Sequence, residues 1–157
     1  LDESVSHIQG HVRDILKRLR PDGLAQTGLA VAIGNLATFW QRHHGGIAIH
    51  LDIEAEGFGA ETDPVIYRLV QEGLTNAVRH GAAKQVWITI AADPGTIHVI
   101  VEDDGIGFTD AGGTGMGLKG MRERLAALSG SMSLGPRPGG GTRLSALIPN
   151  GRVAEPA

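Results

Sequence analysis

Cysteine is absent from this chain, and with it any disulfide framework, thiol chemistry or Cys-based zinc site; a reducing compartment fits. Aromatic residues are scarce, at 4%. No apolar run approaches the ~18 residues that would suggest a membrane span, and no secretory signal is visible. A net charge of −3 gives no general case for nucleic acid or an anionic membrane as partner. No internal repeat occurs at the scale of solenoids or propellers. What is present is the material for one domain: 157 residues, 41% apolar, enough to bury a core. Glycine is the outlier, with 24 residues against a usual ~7%. Much of the excess lies in 105–120 and 139–141, so it is local and points to function. The chain starts at Leu1 inside a helical pattern, which predicts a fragment of a longer protein.

Val5, Ile8, Val12, Ile15 and Leu19 recur at alternating spacings of three and four, an a/d seam about two heptads long. Pro21, Asp22 and Gly23 end it. A second helix is predicted from about Leu24 to His43, with Leu29, Ala32, Ile33, Leu36, Ala37 and Trp40 on one face and Gly45-Gly46 closing it. Ile47 to Ile53 alternates as a strand. After a loop over 57–62, Asp63 reads as an N-cap and Pro64 as the first residue of a helix running to about His80. Two strands, Gln85–Ala91 and Ile97–Glu102, flank the hairpin connection Ala92-Asp93-Pro94-Gly95. A glycine-rich loop, a helix over about Gly117–Leu128, and strands over Ser131–Leu134 and Thr142–Ile148 complete the pattern. Asn150 to Ala157 reads as a frayed tail. Strands and helices do not alternate strictly, which favours a mixed sheet covered by helices on one face over a doubly wound parallel sheet.

Polar residues of unusual type sit at fixed places on this frame. On the helix after Pro64, Ile66, Leu69, Val70, Leu74 and Ala77 form the apolar stripe. Glu72, Asn76 and His80 follow one another at i, i+4 and i+8 on the other side, with Arg79 near them. Such a set can hold a hydrated cation beside phosphates, Asn and Glu supplying oxygen ligands to a Mg²⁺ that keeps several waters. The plainer reading of the same stripe is a solvated helix face.

Asp103-Asp104-Gly105-Ile106-Gly107 places D-x-G-x-G at a strand end. There Asp103 can accept from an exocyclic amine such as that of adenine, while Gly105 and Gly107 permit the turn and the approach of a planar base. Alone, this motif is equally a tight acidic turn. Gly113-Thr114-Gly115-Met116-Gly117-Leu118 then opens a helix, where free N–H groups and the helix dipole favour phosphate. Phe108 to Gly112 between the clusters has the small and polar residues of a lid. Gly141-Thr142 begins the last strand, with the Thr142 hydroxyl available to a base or a bridging water. Neither the dinucleotide G-x-G-x-x-G after a first strand nor the G-x-x-x-x-G-K-[ST] P-loop is present.

In this order, "QEGLTNAVRHG", "EDDGIGF", "GTGMGLKGMRERL" and "GGGTRLSALIP" resemble the N-box, the two glycine boxes and the closing Gly-Thr strand of the ATP-binding domain of sensor histidine kinases. That domain lies within the wider group of gyrase, Hsp90 and MutL. "GMRER" and "RLRPDGLAQTGLAVAI" are most similar to the subfamily whose partner regulators carry LuxR/NarL-type output domains. The resemblance implies an α+β fold, a two-layer α/β sandwich of the Bergerat type, over 22–149. It implies Mg-ATP as ligand, Asn76 on Mg²⁺ with Glu72 where hydrolysing relatives keep a water-activating carboxylate, and Asp103 selecting adenine. Gly105, Gly107, Gly113, Gly115, Gly117 and Leu118 would shape pocket and lid, with Thr142 near the base and Arg79 and His80 near the phosphates. The implied reaction moves the γ-phosphoryl to a histidine on a dimerisation helix and then to a response-regulator aspartate, in a parent protein that is a homodimer. A cytoplasmic location is implied for the domain, whether or not its parent is membrane-anchored.

One family feature is missing. The phosphoacceptor is a histidine followed by an acid, and His7, His11, His43, His44, His50, His80 and His98 all fail that test. Residues 1–21 therefore read as the remnant of the second dimerisation helix, and the chain alone is expected to bind Mg-ATP without phosphorylating itself. His7 and His11, at i and i+4, could begin a metal site, but no third ligand accompanies them and a solvated face is the plainer reading. Two other function classes fit the fold: a partner-switch serine kinase of the anti-sigma type, and a pseudo-enzyme that only binds nucleotide.

Overall fold

The computed structural model describes residues 27–79, 82–107 and 116–150. The helical seam of 1–21, the lid, His80, Gly113, Gly115 and the tail beyond Asn150 lie outside the described residues. Within them, the elements in chain order are α1 (Leu29–His43), β1 (Ala48–Ile53), α2 (Asp63–Arg79), β2 (Gln85–Asp93), β3 (Thr96–Asp103), α3 (Met116–Ala127), β4 (Ser131–Pro136) and β5 (Thr142–Pro149). The strands form one sheet in the order β1-β2-β3-β5-β4. β1 runs parallel to β2 and every other pair is antiparallel, so the sheet is mixed, as the sequence pattern predicts.

Alternation along each strand assigns the two faces. Val86, Ile88 and Ile90 of β2, Ile97, Val99 and Val101 of β3, and Leu144, Ala146 and Ile148 of β5 are buried. They pack with the apolar faces of α1 (Leu29, Ile33, Leu36, Trp40) and α2 (Ile66, Leu69, Val70, Leu74, Ala77) in one cluster. Met121 and Leu125 bring α3 into the same core. The intervening strand residues remain partly exposed on the opposite face, giving a two-layer α/β sandwich. β1 is an edge strand, so its apolar residues are only partly covered and Leu51 is 41% exposed.

The local expectations shift where hydrogen bonding decides. The N–H groups of Val65 and Ile66 bond the Thr62 carbonyl, so Thr62 precedes the helix and Asp63 is its first residue rather than its N-cap. The Asp63 carboxylate instead turns back to accept the Phe58 N–H at 2.7 Å, closing the preceding loop. β2 and β3 extend to Asp93 and Thr96, leaving only Pro94 and Gly95 in the turn. Asn150, where the sequence pattern turns to tail, donates its N–H to the Gly95 carbonyl at 3.0 Å.

Gly73 sets how closely α2 approaches the sheet. A methyl added there would stand 2.8 Å from Val101 Cγ1 and 3.0 Å from its Cβ. Gly73→Ala should therefore destabilise the chain by about 1–2 kcal/mol, overpacking outweighing the ~1 kcal/mol gain in helix propensity. Denaturant midpoints check this. The Gly73→Ala/Val101→Ala double variant should lose clearly less than the sum of the singles, and simple additivity would remove the contact from the explanation.

Candidate nucleotide-binding site

Among the described residues Asp103 is the one buried charged side chain, 6% exposed at the last position of β3. It belongs to the inward row of that strand, after Ile97, Val99 and Val101, and thus ends an apolar file with a carboxylate. The Gly105 N–H donates to its Oδ1 at 2.9 Å, and the Thr142 N–H also donates to the carboxyl. Burial pushes the carboxyl above the ordinary aspartate range, against the downward pull of those two donors; the neighbouring Asp104 adds to the rise and Arg137 opposes it. A carboxylate offers about four acceptor positions, so two backbone donors leave capacity for a ligand amine.

The adjacent carboxyl does something different. Asp104 Oδ1 accepts the N–H groups of both Lys84 and Gln85 at 2.8 Å, tying the start of β2 to the loop after β3. These bonds, led by that of Gln85, hold its carboxyl below the usual range although burial pulls the other way. The two shifts act oppositely on stability. Asp104, with a depressed pKa, contributes stability above the unfolded value of ~3.9 that is lost as pH falls through its folded value. Asp103, with a raised pKa, favours the fold fully below the unfolded value, and that contribution is lost as pH rises through its folded one.

Antiparallel register sets Asp103 directly opposite Thr142, and Gly141 precedes Thr142 in a left-handed conformation with φ +104. Gly107 also has positive φ, and a methyl on it would lie 3.6 Å from the Gly141 carbonyl oxygen. The first glycine cluster and the closing Gly-Thr are thus one contact. α2 packs against β3 and α3. Glu72, Asn76 and Arg79 are half-buried on α2, and Met116, Gly117 and Leu118 form the first turn of α3.

The model of the histidine kinase-, DNA gyrase B- and HSP90-like ATPases matches residues 61–152, more than half of the chain. The chain belongs to this ATPase family. It is similar to the oxygen sensor histidine kinase NreB of Staphylococcus carnosus, 30% identical over 149 residues covering 92% of this chain and 43% of that protein. The signal transduction histidine-protein kinase/phosphatase UhpB of Salmonella typhimurium is 36% identical over 141 residues, 88% of this chain and 28% of that one. The histidine kinase domain of the blue-light activated histidine kinase from Erythrobacter litoralis superposes with a TM-score of 0.69 at 25% identity, over 80% of this chain and 63% of that chain. The chain spans less than half the length of these two curated relatives.

Within the ATPase domain, then, the expected residues fall into one group, Asp103, Gly105, Gly107 and Thr142, brought together by β3, its loop and β5. A second group, Glu72, Asn76 and Arg79, is carried by α2, while Gly117 and Leu118 begin the neighbouring α3. Sequence reading alone gave no role to Asp104, Gly73 or Arg137. The bonds that Asp104 accepts from Lys84 and Gln85 depend on β2 lying beside β3, and Gly73 is one glycine in an amphipathic helix. No described helix is long and apolar enough to cross a membrane.

Proposed function

We propose that this domain is the catalytic, ATP-binding part of a two-component sensor histidine kinase. It would bind Mg-ATP and donate the γ-phosphoryl to a histidine on a dimerisation helix of the parent homodimer, for relay to an aspartate of a LuxR/NarL-type response regulator. The observation that carries the reading is the buried position of Asp103 opposite Thr142. A carboxylate kept in that place at a desolvation cost is suited to an exocyclic amine, and adenine has one where guanine has a carbonyl. Gly105, Gly107 and Gly117 would shape the pocket, and Arg79 would supply positive charge for the phosphates.

Asn76 and Glu72 fit Mg²⁺ by their chemistry. Both offer hard oxygen donors one helical turn apart, and both are partly open to solvent. Among the described residues no group of three or more His, Cys, Asp or Glu side chains could hold a metal, which suits an ion shared with phosphates and water rather than an all-protein cage. When bound, Mg²⁺ neutralises charge on the phosphate oxygens. The rest of the work is positioning: α2 fixes the phosphate side and Asp103 the base side, so that the γ-phosphorus is offered in line to an imidazole nitrogen and ADP leaves.

Calorimetric titration of the 157-residue chain tests this reading. ATP and ADP should both bind, and more tightly with Mg²⁺ than with a chelator. Asn76→Ala should remove most of the Mg²⁺-dependent increment, roughly tenfold or more in affinity, and leave the Mg²⁺-free affinity nearly unchanged. Equal losses with and without Mg²⁺ would exclude that role for Asn76, and no nucleotide binding by the folded parent chain would refute the site as a whole.

A further inference from the structure

Arg137 lies in the β4–β5 turn, outside all the motifs described above, yet several contacts converge on it. Its backbone N–H donates to the Gly141 carbonyl and its own carbonyl accepts the Gly140 N–H, both at 3.0 Å. Its guanidinium donates from Nη1 to the Gly140 carbonyl at 3.2 Å. The same guanidinium stands 4.3 Å over the Trp87 ring and brings Nε to 3.5 Å from Glu102 Oε2. Both partners of that ion pair are about three-quarters covered, with 25% and 26% of their side chains exposed. Trp87 is opposite Glu102 in register and is stacked with His50 from β1.

The positions that Arg137 grips are the immediate neighbours of the base-side pair. Glu102 precedes Asp103 on β3, Gly141 precedes Thr142 on β5, and Asp103 and Thr142 face each other. Glu102 and Trp87 alternate with the buried rows of their strands, so the grip comes from the sheet face opposite the helices. We propose that Arg137 is a positioning residue for base selection, holding the glycine turn of β5 against β3 from behind and so fixing the spacing between Asp103 and Thr142. The proposal rests on the reading of Asp103 as the adenine-selecting group.

Stabilisation alone is a weaker account of this cluster. A partly exposed pair at 3.5 Å adds little to folding. The geometry, in contrast, uses what is particular to arginine: a planar fork that meets a carboxylate, a carbonyl and an aromatic face together, where lysine offers a single point charge. The guanidinium also lowers the pKa values of Asp103 and Asp104, favouring the ionised acceptor.

The experiment is to measure dissociation constants for Mg-ATP and Mg-GTP on the whole chain, its Arg137→Ala, Arg137→Lys and Glu102→Gln variants, and the Arg137→Ala/Glu102→Gln double variant, with thermal midpoints alongside. Arg137→Ala should cut the ATP-over-GTP preference roughly tenfold or more, because a misplaced acceptor loses discrimination before it loses binding. Glu102→Gln should act in the same direction and less strongly, Arg137→Lys should be intermediate, and the double variant should be no worse than Arg137→Ala. An unchanged ATP-to-GTP ratio in Arg137→Ala, whether or not the midpoint falls or both affinities fall together, would overturn the proposal. A parent chain with no preference for ATP would instead overturn the reading of Asp103 beneath it, and shows itself before any substitution is made.

Discussion

Asp103→Asn is expected to weaken Mg-ATP binding by roughly tenfold to a hundredfold while leaving the folded chain at neutral pH as stable as the parent, or more so. The loss follows from replacing a charged acceptor, since hydrogen bonds to ionised groups contribute about 1.5–3 kcal/mol. The stability side follows from the sign of the pKa shift. Burial raises the carboxyl's pKa, so above that value the folded state holds a carboxylate more costly than the same group in the unfolded chain. Asparagine discards that charge and keeps one acceptor oxygen, with two lone pairs, for the Gly105 N–H that the carboxylate accepts at 2.9 Å and for the Thr142 N–H. Opposite movement of affinity and stability is the mark of a residue kept for function. Calorimetry and a thermal melt at pH 7 suffice; a variant that binds Mg-ATP like the parent would remove Asp103 from the site. A variant that melts far below the parent would make its role structural.

Gly141→Ala should be severely damaging, costing on the order of 3–5 kcal/mol. Two effects add. The residue has φ +104, where a side chain is strained. The methyl would also overlap the Asp103 carbonyl oxygen and lie 2.7 Å from that carbonyl's carbon and 3.0 Å from Asp104 Cα. These are backbone atoms of the paired strand and cannot rotate aside as a flexible side chain could. Gly140→Ala separates the effects, because Gly140 has φ +113 but nothing within 4 Å of the added methyl. It should cost about 1–3 kcal/mol, from strain alone. With stabilities of about 5–15 kcal/mol typical of single domains, Gly141→Ala should lower the melting midpoint by roughly 6–20 °C. Near-equal melting of the two variants would show that conformational strain, and not the approach of β5 to Asp103, governs the position.

The periodicities in the chain were sufficient for its elements and their class. Ile66 through Ala77 at helical spacing, and Ile97, Val99 and Val101 at strand spacing, are the residues found in the core. Burial of an apolar row forces that phase, so it can be read without coordinates. The same holds for residue types with a narrow use: Asn76 on a polar helix face, Asp103 at a strand end, and glycines gathered between a strand and a helix.

Pairing across the sheet could not be read in this way. That Asp103 stands opposite Thr142, that Gly107 meets Gly141, and that Arg137 reaches Glu102 and Trp87 all depend on β5 entering between β3 and β4 in one register. Asp103 and Asp104 illustrate the division. The inward phase of Ile97, Val99 and Val101 already points to Asp103, whereas the bonds that Asp104 accepts from Lys84 and Gln85 exist only because β2 lies beside β3. The sequence by itself determined the described elements and the core, because local periodicity suffices for those. Tertiary structure alone decided which residues meet across the sheet and how closely α2 and β5 approach β3, because these depend on contacts between segments far apart in the chain.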